Sequence, residues 1–156
     1  MVSAMPELHE ALIGSVVALL EADTAAGGLK DATNVGDGVA WVHRISREGD
    51  KNTIPIEGGH RRTTMTVNLR PDDLIAQGRS GAAVLGVVSV HTPETVGFTK
   101  QDAVVSRIRA VLNEVSVDPS GWGACLLICL TGQVARSPYP GHRRFDVPFR
   151  TVITRD

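Results

Sequence analysis

A buried-strand pattern followed by a one-sided helix pattern constrains the fold of this chain more than any other feature. Residues 82–90 are apolar almost throughout and β-branched in their second half, which is typical of a strand covered on both faces. Residues 99–115 then repeat apolar side chains at offsets of 4, 7, 8 and 11, the spacing of a helix that packs one side against a sheet. We therefore predict a central strand crossed by a helix, with Thr99 as the N-cap and Asp102 at the third helical position.

The remaining apolar periodicities predict one further helix and four further strands. They are a helix over 6–22 and strands over 39–47, 63–69, 124–130 and 144–154. Pro148 has no backbone donor, so we expect the last strand at a sheet edge or with a bulge at that residue. The order of elements predicts an α+β fold in one domain over residues 1–156, with a single mixed or antiparallel sheet of about five strands and two helices packed on it.

Two long connections are expected to be contact loops. Residues 48–62 carry Ile54-Pro55-Ile56 at their middle and are long enough for a protruding hairpin or arm, and residues 131–143 carry Pro138-Tyr139-Pro140. Connections longer than a dozen residues are uncommon in compact domains and are often functional. These stiff, apolar loops favour contact with another protein over chemistry.

Charge, aromatic content and apolar run length exclude several classes. The 16 basic and 17 acidic side chains nearly cancel, and aromatic residues make up 4% of the chain. This balance supplies neither the positive field nor the stacking platform of a non-specific nucleic-acid binder. The apolar run at 12–20 is about half the length of a spanning helix, so we expect no membrane segment. Cys125 and Cys129, four residues apart in a strand, are too distant for a disulfide.

No catalytic or cofactor-binding motif is present. The five histidines do not form a helical metal pair, and HExxH, CxxC, GxSxG, Walker and GxGxxG patterns are absent. The sequence therefore predicts neither an enzyme nor a cofactor. An alternative of a different class is a small α+β metal-dependent enzyme or ligand-binding domain that uses His91, Glu94 and Asp72.

A short repeat precedes two of the predicted strands. Gly59-His60-Arg61-Arg62 and Gly141-His142-Arg143-Arg144 both lead into strands. If the two strands run in the same sense, the repeats meet at one end of the sheet and form a basic cluster that can meet an acidic surface or DNA phosphates. The alternative is that these residues only keep the loops soluble.

Residues 77–112 carry a resemblance to a known family. Gln77-Gly78-Arg79-Ser80-Gly81-Ala82 leads into a strand ending Val88-Ser89-Val90-His91-Thr92-Pro93. Glu94-Thr95-Val96-Gly97 follows, and then a helix through Arg107-Ile108-Arg109-Ala110-Val111-Leu112. This arrangement resembles the tail-terminator proteins of long-tailed bacteriophages, also called tail-completion or minor tail proteins. The element order agrees with that family over nearly the whole chain.

The resemblance implies a structural virion protein without catalytic activity. It would form a homo-hexameric ring at the head-proximal end of the tail tube, stop tube polymerisation, and join the tail to the head connector or stopper. The implied partners are further copies of the chain, the tail tube protein and the connector, with the tape-measure protein as a possible addition. DNA would pass through the lumen without specific binding. The implied location is the tail or neck of the virion, with assembly in the host cytoplasm.

The interface candidates come from the two long connections, the two Gly-His-Arg-Arg segments and the Arg/Gly-containing turn at residues 77–82. They are Ile54, Pro55, Ile56, Arg61, Arg62, Arg79, Tyr139, Arg143 and Arg144. A neighbouring role in the same assembly, as another neck or connector protein or as a tail-tube subunit, is the nearest alternative. A tube subunit would polymerise into long tubes, whereas a terminator would stop at one ring.

Overall fold

The regular elements in the described part of the chain are two helices and ten strands. The computed structural model describes residues 5–33, 39–47, 56–57, 60–69, 76–77, 81–119 and 121–154. The helices are α1 (Met5–Glu21) and α2 (Phe98–Leu112). The strands are β1 (Arg44–Arg47), β2 (Ile56–Glu57), β3 (His60–Arg61), β4 (Thr64–Leu69), β5 (Ala76–Gln77), β6 (Gly81–Pro93), β7 (Val115–Val117), β8 (Cys125–Cys129), β9 (Gln133–Ala135) and β10 (His142–Thr154).

The strands form one mixed sheet with the order β1-β4-β6-β10-β8-β7. The β1–β4 pair is parallel and the other pairs are antiparallel. The short strands β5 and β9 pair with β6 and β10, and β2 and β3 form a separate hairpin. Two helices packed on a mixed sheet confirm the predicted α+β class, with more strands than the five expected because β5, β7 and β9 are too short to show a period.

The core lies between the helices and one face of the sheet. Leu12, Val16 and Leu20 of α1 and Val104, Ile108 and Leu112 of α2 are fully buried there, because each set repeats at helical spacing and forms one apolar side. The strand residues facing them are Met65, Val67, Leu69, Val88, Val90, Leu127, Val147 and Phe149. We call the opposite side of the sheet the outer sheet face.

The central strand prediction is confirmed by the position of β6 between β4 and β10. Val88 and Val90 face the helices, and Val87 and Ser89 face the other side, yet all four are buried. Burial on both sides explains why the segment reads as an unbroken apolar run.

The helix boundaries differ from the prediction at both ends of α2. The N-cap is Gly97, without a side-chain cap hydrogen bond, so Thr99 is not the cap and Asp102 is not at the third position. The helix ends at Leu112, and Val115 opens β7. The apolar period continues through Val115 because β7 contributes to the same core, and a periodicity cannot mark that change of element.

The strand predicted over 39–47 is regular only from Arg44 to Arg47. Four backbone carbonyls of residues 39–43 accept hydrogen bonds from two lysines. Lys30 Nζ donates to the carbonyls of Val42 and His43, and Lys100 Nζ donates to those of Val39 and Trp41. Satisfying the carbonyls in this way allows an irregular segment to lie against the core.

The prediction that Pro148 requires an edge or a bulge is wrong, because β10 pairs with β6 in continuous register through this residue. β10 is an interior strand, but its partner on one side is broken opposite Pro148, where β8 ends at Cys129 and β9 begins at Gln133. The Leu130 N–H donates to the Pro148 carbonyl at 2.8 Å. Because N and O of one strand residue point the same way, the missing donor of Pro148 faces this break.

Strand β8 is less buried than predicted. Leu126 is 49% exposed, while Cys125 and Leu127 are buried. The apolar residues of this strand therefore alternate between a buried side and a more exposed side. Cys125 and Cys129 are both free thiols.

Candidate functional site

The described residues of the two Gly-His-Arg-Arg segments, 60–62 and 141–144, lie at the same end of the sheet. β4 and β10 are both antiparallel to β6, so they run in the same sense. The predicted meeting of the two segments required this arrangement. Thr64 and Arg144 flank His91 in register, one on each side of β6. The His142 ring nitrogen Nε2 lies 3.3 Å from the carbonyl oxygen of Arg62, so the segments touch directly.

The arginines of the second segment are engaged inside the chain. Arg143 donates to the carbonyls of Val96 at 2.9 Å and Glu94 at 3.1 Å. Arg144 forms a two-point ion pair with Asp146, at 2.7 and 3.2 Å, and Asp146 is buried. The charge of Arg144 is therefore compensated locally, which leaves less positive potential for an external anion than the sequence suggested.

His91 is enclosed at this end of the sheet. It is 2% exposed, with Nε2 3.4 Å from the Thr66 hydroxyl and Nδ1 3.2 Å from the Ser137 hydroxyl. The Tyr139 ring meets it edge-on with 4.8 Å between centroids. Burial is the main reason that the pKa of His91 is lowered to about 4, and the charges of Arg144 and His142 act in the same direction. His91 is therefore neutral at physiological pH and is a packing residue here.

The residues of the metal-enzyme alternative are not assembled in the described part of the chain. His91 is buried whereas Glu94 is exposed, and Asp72 lies outside the described residues. Among the residues that the structure describes, no group of three or more His, Cys, Asp or Glu could hold a metal ion.

The predicted interface residues fall into three groups. Ile54, Pro55 and Arg79 lie outside the described residues. Ile56 and Arg61 are paired with each other in the β2–β3 hairpin, and Arg62 follows it as an exposed residue. Tyr139, Arg143 and Arg144 lie together at the His91 end of the sheet and make contacts within the chain.

The outer sheet face carries an exposed apolar patch that the sequence analysis missed. Val152 is 68% exposed and Leu126 is 49% exposed. Arg150 lies opposite Ile128 in the β8–β10 ladder, which puts both on the outer sheet face, as Phe149 on the other side is in the core. We call Leu126, Ile128, Arg150 and Val152 the Arg150 patch. Alternation along β10 was a usable signal for Val152, but the all-apolar run of β8 concealed Leu126.

An open pocket of about 430 Å³ adjoins the Arg150 patch on the same face. Its lining residues are Leu85, Gly86, Leu130, Thr131, Gln133, Asp146 and Pro148. Leu85 is the register partner of Arg150, and Pro148 precedes Arg150 by two residues, so pocket and patch are continuous. The break between β8 and β9 opposite Pro148 supplies the residues on one side of the pocket.

Phe98 is the largest exposed apolar side chain among the described residues, at 63% exposure. It is the first residue of α2, and the Arg143 guanidinium lies 4.1 Å from its ring centroid. Arg143 is itself held by hydrogen bonds to the carbonyls of Val96 and Glu94, so the ring rests against an anchored guanidinium. Exposed aromatic side chains of this kind are enriched at protein interfaces.

The chain has the fold of a protein from a solved virion. It is similar to a chain of the structure described as "Virion of native gene transfer agent (GTA) particle", with 23% sequence identity and a TM-score of 0.61. The match covers 93% of this chain and 96% of that chain, so the similarity extends over the complete architecture. No protein-family model matches the sequence. No curated protein matches it either. No described helix is long and apolar enough to cross a membrane.

Proposed function

We propose that this chain is a structural virion protein that acts as a tail terminator. In this role, copies of the chain close into a ring on the head-proximal end of a tail tube, stop its polymerisation and join it to the head connector. The observation that carries the proposal is the similarity of fold to a virion chain over more than nine-tenths of both chains. The tail-terminator role is the more specific step and comes from the family resemblance of residues 77–112.

The described surface suits assembly better than catalysis. Among the described residues, the exposed large apolar side chains are Phe98 on α2, Leu126 and Val152 on the outer sheet face, and Val134 on β9. A closed ring requires a head-to-tail interface, in which two different surfaces of one subunit match. The proposal includes no catalytic role, since His91 is buried and neutral and Asp146 is paired with Arg144.

The direct test is the size and shape of the assembled protein. Purified chain should give a ring in negative-stain images and, by light scattering, about six times the 16.6 kDa subunit mass. Mixed with a polymerising tail tube protein of the same particle, it should shorten the tubes and be found only at their ends. A chain that stays monomeric even with tube protein present would contradict the proposal.

The same experiment separates the nearest alternative. A tail-tube subunit would add along the tubes and lengthen them, or form long tubes by itself. Labelling at the exposed Val134 position, after Val134→Cys, would show gold or dye along the tube for a subunit and at one end for a terminator.

A further inference from the structure

We propose that neighbouring copies join through Phe98 and Asp102 of one copy and the outer sheet face of the next. Phe98 enters the pocket beside Pro148, and the Asp102 carboxylate pairs with the Arg150 guanidinium. This inference rests on the proposed function, because it names the subunit interface of the proposed ring. The occupant of the outer sheet face is thus α2 of a second copy.

The receiving surface combines an apolar patch with one uncompensated charge. Arg150 is exposed and forms no ion pair with any described residue. Its neighbours on the outer sheet face, Leu126 and Val152, are apolar and largely exposed. A positive charge surrounded by aliphatic surface favours a partner that brings apolar area together with one carboxylate.

The pocket next to Arg150 can receive an aromatic side chain. Leu85, Leu130 and Pro148 supply apolar walls, and its volume of about 430 Å³ has room for one phenyl ring. A large apolar side chain that fills a pocket at the centre of an interface is the usual form of an energetic hot spot.

The inserting surface has the complementary composition. Asp102 follows Phe98 by four positions in the helix, so both side chains project from the same side of α2. Both are exposed, and Asp102 forms no ion pair with any described residue. Because Arg143 already orders the Phe98 ring, docking loses less side-chain entropy than it would with a mobile phenyl group.

The spacing of the two surfaces agrees. Residues four apart in a helix are separated by about 6 Å along the axis, at 1.5 Å per residue. Pro148 and Arg150 are two residues apart in a strand, which is about 6.6 Å. The phenyl ring and the carboxylate can therefore reach the pocket and the guanidinium at the same time.

Charge also favours a head-to-tail arrangement over a two-fold one. Two outer sheet faces placed together would bring Arg150 near its own copy, and two α2 surfaces would do the same for Asp102. Like charges at an interface are unfavourable. A contact between α2 of one copy and the sheet of the next pairs opposite charges and leaves both surfaces available for a closed ring.

A charge-reversal experiment on the full chain tests this interface. Asp102→Arg and Arg150→Glu, each alone, should weaken assembly roughly tenfold or more by mass photometry across a dilution series, because each places like charges together. The double variant should assemble as the wild type does. An equimolar mixture of the two single variants should also assemble, because every contact between unlike variants then pairs opposite charges. Phe98→Ala should weaken assembly without changing the unfolding midpoint.

Control variants separate an interface effect from general charge or misfolding. Glu21→Arg reverses an exposed charge at the last residue of α1, on the helix side of the sheet and outside both proposed contact surfaces, and should leave assembly unchanged. Circular dichroism of every variant should remain that of the wild type. If the wild type forms rings and all three test variants form them equally well, the interface is wrong and the proposed function stands. If the wild type never assembles, both are wrong.

Discussion

The carboxylate of Asp23 accepts two hydrogen bonds from the guanidinium of Arg107, and so joins the turn after α1 to the middle of α2. Asp23 is buried and also accepts the Leu29 backbone N–H at 2.9 Å. The Arg107 hydrogen bonds are the main reason that the pKa of Asp23 lies below its usual value. This ion pair therefore links the turn after α1 to α2 across 84 positions of the sequence.

Removing Arg107 should destabilise the fold without changing the exposed surface patches. Arg107→Ala leaves a buried carboxylate with only a backbone donor, and we expect a loss of about 1–3 kcal/mol in the free energy of unfolding. Urea unfolding measures it. Arg136→Ala, at an exposed loop position, is the matched control, and an equal effect in both variants would show that the pair contributes nothing specific.

The pH dependence of stability should carry the signature of His91. Its pKa is lowered to about 4 in the folded chain, below the ordinary value of 6.5. The fold therefore favours neutral His91, so its contribution is complete above pH 6.5 and is lost as pH falls from 6.5 toward 4, by up to roughly 3 kcal/mol. Unfolding free energies measured from pH 7.5 to 4.5 should fall more steeply for the wild type than for His91→Gln.

Other groups also titrate in this window, so the comparison with the variant is essential. His43→Gln provides the control, because it removes a histidine that precedes β1 and leaves the groups that act on His91 in place. Identical slopes for the wild type and His91→Gln would contradict the enclosure of a neutral imidazole at this position.

Lys100 should be a structural residue in spite of its charge. It is 2% exposed, and its ammonium donates to the carbonyls of Val39 and Trp41. Lys100→Met keeps the apolar stem but leaves both carbonyls without this donor, so we expect about 1–3 kcal/mol of destabilisation in urea unfolding. Asp102→Asn, half a turn along the same helix and exposed, should change stability by less than about 0.5 kcal/mol.

Gly86 should not tolerate a side chain. A Cβ at this position would overlap the ring of Phe149, its register partner on β10, which lies across the glycine in the core. Gly86→Ala should cost roughly 1–3 kcal/mol because a fully buried ring must move. Thermal unfolding measures it, and Gly14→Ala in α1, where a Cβ meets only the Arg47 side-chain end at 3.8 Å, is the control.

Thr99 tests the corrected boundary of α2. Thr99→Ala should alter the unfolding free energy by less than about 0.5 kcal/mol, because the N-cap is Gly97 and no side chain caps the helix. An N-cap threonine would cost about 1 kcal/mol on the same change. A loss of that size in urea unfolding would restore Thr99 to the cap position.

Several elements were predictable because their signal is local. The apolar side of α1 and the two-sided burial of β6 follow from periods in the residues themselves, which fix what each segment must bury. The boundaries of α2 were not predictable to the residue, since Val115 continues the apolar period from inside β7. The residue type of Pro148 shows that a ladder must be interrupted there. It does not show that the interruption lies in the partner, between β8 and β9, and not in β10 itself.

The sequence by itself determined the fold class, the central strand and the lack of a recognisable catalytic motif, since these depend on residue type and spacing along one segment. Only the tertiary structure decided where the charges act. It pairs Arg144 with Asp146, anchors Arg143 on backbone carbonyls and leaves Arg150 exposed beside apolar residues. Three arginines of one strand look alike in sequence. Arg144 finds its partner two residues along the same strand, Arg143 finds carbonyls distant along the chain, and Arg150 projects from the outer sheet face without an ion-pair partner among the described residues.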